Sequence, residues 1–82
     1  MKVKVLFFGA TADAAGEKEI ELVTGENIKA GQIFTEILDA FPNLKKSFAG
    51  SLLFSLNQEY ATGGEVVRDG DELAVFTAVS GG

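Results

Sequence analysis

The sequence ends Val79-Ser80-Gly81-Gly82 directly after an apolar run, and this tail holds the residues best suited to chemistry. Glycine on both sides of the final peptide bond removes steric hindrance and opens backbone angles closed to other residues, so such a tail can thread a narrow channel. The reactive group is then the terminal carboxylate of Gly82, with Val79, Ser80 and Gly81 as the segment that presents it. A terminal glycine pair arises by chance about once in 200 chains. Its weight therefore rests on what other chemistry the sequence permits.

Little else is on offer. With no cysteine, disulfides, iron–sulfur clusters and a persulfide carried on a side chain are excluded. With no histidine, the usual zinc sites and histidine-based general-base or triad chemistry go as well. Glu17, Glu19 and Glu21 alternate as the solvated side of a strand, and Asp69-Gly70-Asp71-Glu72 lacks the spacing of a calcium loop, so no metal site is expected. Gly63-Gly64 has no Lys-Ser/Thr after it and does not make a phosphate-binding loop. Ser80 has no base partner. The tail is thus left as the most function-bearing feature of the sequence.

Twelve acids against seven bases leave a net charge of -5. That balance disfavours nucleic acid or an anionic membrane as partner and favours a basic protein surface. No run approaches the roughly 18 apolar residues of a membrane span, and the Lys2 to Ala14 start falls short of a signal peptide. The expectation is a cytoplasmic protein.

The elements that must position the tail follow from periodicity. Lys2 to Phe8 alternates as a strand with Val3, Val5 and Phe7 on the core face. Gly9 to Gly16 reads as a loop with room for a helical turn, and Lys18 to Val23 alternates as a second strand, with Ile20 and Leu22 inward. Ala30, Ile33, Phe34, Ile37, Leu38 and Phe41 recur at helical spacing and predict one amphipathic helix of about three turns. Pro42-Asn43 is expected to stop it, leaving Lys45-Lys46 in a solvated connection. A third strand over 51–56 offers Leu52, Phe54 and Leu56 to one face, Asn57 to Tyr60 leads into a short edge element, and Arg68 to Asp71 is a turn. Glu72 to Thr77 forms the last strand. An 82-residue chain has room for one small domain, here 1–82 with 78–82 a flexible reactive tail. The order indicates an α+β fold, a mixed sheet of four to five strands with one main helix on one face, and the β-grasp is the leading topology, its first and last strands side by side at the sheet centre.

Three stretches carry a resemblance: Val3-Lys4-Val5-Leu6-Phe7-Phe8, Leu56-Asn57-Gln58-Glu59-Tyr60, and Asp69-Gly70-Asp71-Glu72-Leu73-Ala74-Val75-Phe76 leading to Val79-Ser80-Gly81-Gly82. Together they resemble the small subunit of molybdopterin synthase, of the sulfur-carrier family with a ubiquitin-like β-grasp, over the whole chain. The resemblance implies that an E1-like adenylyltransferase using ATP and magnesium activates Gly82, which is then converted to a thiocarboxylate. It further implies that the large subunit of molybdopterin synthase draws in the tail and uses its sulfur to build the dithiolene of molybdopterin, in a heterotetramer. The chain itself would bind no cofactor. Family members commonly carry a proline pair before the tail, whereas this chain has Thr77-Ala78, which frees backbone angles and restores two N–H donors. The same tail chemistry serves related carriers for thiamine or tRNA thiolation and ubiquitin-like protein modifiers. A non-catalytic β-grasp interaction module is the alternative of a different class.

If the first and last strands are neighbours, Leu6, Phe8 and Phe76 lie together on the sheet face opposite the helix, joined by Leu53. Exposed apolar patches of this kind mark interfaces, and aromatic anchors carry much of the binding energy. The four residues are expected to form the partner surface.

Overall fold

A computed structural model describes residues 1–48 and 50–78. Alternation builds the first strand, β1 (Lys2–Phe7), with Val3, Val5 and Phe7 buried and Lys2 and Lys4 exposed. The strand ends one residue before the expected Phe8, because Gly9 turns the chain at a φ of 57° into a short helix, α1 (Ala10–Ala15). This helix occupies the expected loop and closes on Gly16 in the left-handed conformation that glycine tolerates. Next come β2 (Glu19–Val23) and the main helix α2 (Ala30–Ala40).

The main helix stops before Pro42 as expected, but helical structure resumes at once. α2 ends at Ala40, capped by Phe41, and Pro42 is the first residue of another helix, α3 (Pro42–Phe48). Proline is favoured there because its fixed φ suits a first helical turn and its missing N–H has no intrahelical partner to lose. Lys45 and Lys46 therefore stand on the exposed side of α3 rather than in a connection, while Leu44 is fully buried. The chain finishes with β3 (Leu52–Leu56), the two-residue β4 (Glu59–Tyr60) and β5 (Glu72–Thr77).

The five strands form one sheet in the order β2-β1-β5-β3-β4. β1 and β5 are parallel at its centre, and every other pairing is antiparallel. The expected β-grasp arrangement is present, the intervening elements supplying the long crossover that a parallel pair requires.

One face of the sheet meets the helices. Val3, Val5, Phe7, Leu73 and Val75 pack with Ala30, Ile33, Ile37, Leu44 and Val67, and Leu52, Phe54 and Leu56 adjoin this core as their alternation predicts. Phe34 of α2 stacks on Phe54 at 3.9 Å between ring centroids, and Phe41 meets Phe7 edge-on at 5.2 Å. Ile33 has no exposed surface. Truncating such a side chain costs about 2–5 kcal/mol through lost transfer energy and the cavity left behind. Ile33→Ala is expected to lower the melting temperature by roughly 4–8 °C per kcal/mol lost, as read by thermal denaturation.

The start of α2 is held by a distant turn. The N–H groups of Ala30 and Gly31 donate to the carbonyls of Glu65 and Gly63, both at 2.8 Å, satisfying two orphan donors of the first turn. A Cβ on Gly31 would lie 3.1 Å from the Gly63 carbonyl oxygen, so this approach depends on glycine. The turn is fixed in its own right by the Glu65 carboxylate, which accepts from the N–H groups of Thr62 (2.7 Å) and Gly63 (2.8 Å) and the Thr62 hydroxyl (3.1 Å). The Thr62 and Gly63 backbone donors favour the charged form and hold the Glu65 carboxyl down to about 2 from 4.5. Because the folded-state value is the depressed one, the unfolded chain binds more protons between these limits. The contribution is complete above about 4.5 and is lost as pH falls through about 2. Glu65→Gln is therefore expected to flatten the fall in stability over this window, measured as urea midpoints at successive pH values.

Candidate functional site

The predicted reactive residues, Val79, Ser80, Gly81 and Gly82, lie outside the described residues. What the structure gives is their mounting. β5 runs to Thr77, and Ala78 keeps the ladder going by donating its N–H to the Ser51 carbonyl at 3.2 Å. The chain therefore leaves from the end of a central strand, flanked by the C-terminal end of β1 and the start of β3.

The position of that exit is set by a hydrogen-bonded clip at the opposite end of the sheet. Asp71 accepts from the Arg68 N–H at 2.8 Å and the Asn57 side-chain amide at 3.1 Å, while the Asn57 side-chain oxygen accepts from the Glu72 N–H at 3.0 Å. Asp69 accepts from the Lys2 N–H at 2.7 Å, and the Lys2 carbonyl accepts from the Gly70 N–H at 2.8 Å. Gly70 takes a φ of 85°, which explains its place in the turn. The Asp69-Gly70-Asp71 and Asn57 motifs that carried the resemblance are thus structural. They lock β1, β3 and β5 in register, with Lys4 opposite Glu72 and Leu56 opposite Leu73.

Counting along that register divides the outer face of the sheet. Near the clip it is charged: Lys4 stands between Glu21 and Glu72, and Lys2 reaches Glu21 at 4.0 Å, an exposed pair of small energetic value. Toward the tail it becomes apolar. Leu6 pairs with Ala74, Ala74 with Ser55, and Ser55 with Tyr60. In the next row Phe76 pairs with Leu53, and Phe8 follows directly after the Phe7–Val75 pair. Leu6, Leu53 and Phe76 are partly exposed, and Phe8 keeps 53% of its surface. Leu6 and Phe8 also line a shallow concavity with Lys18 and Glu19.

Tyr60 is the residue of this face that periodicity missed. It keeps 75% of its surface, and its ring lies 5.8 Å from that of Phe76. Its membership depends on the turn at Asn57 and Gln58, both at positive φ, which folds β4 back onto β3. Tight hairpin turns of this kind usually announce themselves by glycine, and none is present here.

Beneath the patch, Thr11 is buried without exposed surface. Its hydroxyl lies 2.6 Å from the Phe8 carbonyl and 3.0 Å from that of Val75, tying α1 to the ends of both central strands.

The fold is that of the ubiquitin-like β-grasp proteins, with the terminal segment carried on the central strand. The chain belongs to the ThiS family, which matches residues 5–82. It is 34% identical to the molybdopterin synthase sulfur carrier subunit of Chlamydomonas reinhardtii over the whole of both chains. To the subunit of the same name from Homo sapiens it is 33% identical, over 99% of this chain and 94% of that one. Among solved structures, the crystal structure of SAMP1 from Haloferax volcanii superposes with a TM-score of 0.86 at 26% identity, covering 100% of both chains. No helix among the described residues is long and apolar enough to cross a membrane.

Proposed function

We propose that this chain is the sulfur-carrier subunit of molybdopterin synthase, with Gly82 as the atom-bearing end. The observation that carries the reading is the Val79-Ser80-Gly81-Gly82 sequence placed directly after a central β-grasp strand. The full-length likeness to proteins named molybdopterin synthase sulfur carrier subunit supports it.

The chemistry asks little of the carrier itself. A carboxylate is a poor electrophile until one oxygen becomes a leaving group. Attack of the Gly82 carboxylate on the α-phosphorus of ATP, held with magnesium by the activating adenylyltransferase, releases pyrophosphate and leaves an acyl adenylate. A sulfur nucleophile at sulfide oxidation level then displaces AMP, giving the thiocarboxylate. The large synthase subunit takes the sulfur for the dithiolene, and hydrolysis of the carrier's acyl end restores the carboxylate. The groups that activate each step come from the partners, while this chain supplies reach and docking. From Ala78, four residues extend at most about 14 Å, so the partner's reactive centre must lie within that distance of the sheet's end.

Leu6, Phe8, Leu53 and Phe76, with Tyr60, form the docking surface in this reading, beside the tail exit. The proposed partner therefore grips the domain where the chain enters its active site. The test is intact mass spectrometry after incubation with the adenylyltransferase, ATP, magnesium and a sulfur donor. The expected result is a mass increase equal to replacement of one oxygen by sulfur. A second reading, a ubiquitin-like modifier, draws on the likeness to SAMP1, a small archaeal modifier protein. It predicts a stable amide between Gly82 and a protein lysine instead.

A further inference from the structure

Among the described residues, β2 is an outer strand of the sheet, hydrogen-bonded on one side only. The bonds from the Phe7 N–H to the Lys18 carbonyl and from the Thr24 N–H to the Met1 carbonyl mark the bonded pairs of its antiparallel ladder with β1. Such pairs alternate, so the main-chain groups of Lys18, Ile20, Leu22 and Thr24 face β1. Those of Glu19, Glu21 and Val23 point away from the sheet. The edge carries two charges, Glu19 and Glu21, but no proline or lysine interrupts Glu19–Val23. The opposite edge, β4, is only two residues long.

We propose that this edge accepts an extended segment of a partner polypeptide as a sixth strand, and that the segment alternates basic and apolar residues. The side-chain order of β2 dictates that composition. Residues paired with Glu19 and Glu21 lie on the outer face, where opposite charge stabilises a cross-strand pair, and the residue paired with the exposed Val23 is apolar. The intervening residues fall on the helix side beside Ile20 and Leu22, which are only partly buried at the margin of the core. β1 already presents this pattern to the inner side of the same strand, with Lys4 opposite Glu21 and Val5 opposite Ile20. A second copy of the chain does not fit. In the antiparallel register that uses all three outward residues, Glu21 would face Glu21 of the other copy, a like-charge pair that destabilises. Main-chain bonds along a sheet edge supply affinity and alternate side chains supply selectivity. The surface is distinct from the apolar patch, and its test does not depend on Gly82.

The experiment follows backbone amide exchange by NMR on the full chain, with the blocked peptide Thr-Val-Val-Lys-Val-Lys-Thr added to about 1 mM, suited to a weak interaction. Exchange at Glu19, Glu21 and Val23 is expected to slow about tenfold or more, while the already bonded Ile20 and Leu22 change little. The corresponding peptide with glutamate in place of lysine should give no protection. Glu19→Lys combined with Glu21→Lys should reverse this preference, which keeps the charge pairing testable apart from peptide hydrophobicity. The proposal is overturned if the three amides stay unprotected, or if both peptides protect equally. It is also overturned if protection centres on Tyr60 and Phe76, or if raising the protein concentration alone protects the edge.

Discussion

Deleting Gly82, or extending the chain beyond it by one alanine, is expected to abolish the gain in mass on incubation with the activating enzyme, ATP and a sulfur donor. Both changes leave every described residue untouched, so circular dichroism and melting temperature should match those of the unaltered chain. Deletion moves the carboxylate back by one residue and leaves a single terminal glycine. Extension places a Cβ beside the new terminal carboxylate, where the proposed function calls for a chain end without side chains. Binding energy from the docked domain cannot compensate, because a reacting carbonyl displaced by an ångström or more leaves the near-attack geometry that sets the rate. An undiminished mass gain in either variant would sink the assignment of Gly82.

The second large effect concerns docking. Phe76→Asp is expected to weaken capture of the large synthase subunit by at least about 2 kcal/mol, roughly 30-fold, the scale for losing a central aromatic anchor. Phe76 pairs with Leu53 and its ring lies 5.8 Å from that of Tyr60 on the outer face, one row nearer the tail than Ala74. An aspartate there would place a charge against apolar neighbours at the interface while leaving the helix-side core intact. Isothermal titration calorimetry reads the affinity, and circular dichroism checks the fold. Wild-type affinity in a folded variant would assign docking to another surface. Tyr60→Ala should produce a smaller loss, since its ring is more exposed.

Much of this arrangement is legible in the residues themselves. β1 declares itself because a strand with one buried face must alternate, and Lys2 to Phe7 does so, whereas β5 shows as a short apolar run whose Leu73, Ala74 and Val75 are all buried, as suits a strand at the sheet centre. α2 follows from the spacing of Ala30, Ile33 and Ile37, all buried. The expected gathering of Leu6, Leu53 and Phe76 on one face follows from alternation once β1 and β5 are neighbours. α3 is hidden because a proline signals the end of one helix and the beginning of another equally well, and only the burial of Leu44 distinguishes them. α1 is hidden by its alanines and flanking glycines, which carry little amphipathic signal. Its anchor, Thr11, is a polar residue buried through bonds to the nearby Phe8 carbonyl and to that of Val75, 64 residues away in the chain. The Glu65 clasp is a local one, on donors two and three residues away, but its purpose shows only when the fold brings that turn against the start of α2, and the Asn57 side chain meets Asp71 and the Glu72 N–H only in the assembled sheet.

The parallel pairing of β5 with β1 also has a mechanical meaning. A partner that pulls on the tail applies its load along β5, which is laced to β1 on one side and to β3 on the other. Force in that direction shears two ladders at once instead of opening them bond by bond. If a partner draws in the terminal segment as the proposed function requires, the domain would act as a stopper that resists the pull without unravelling β5.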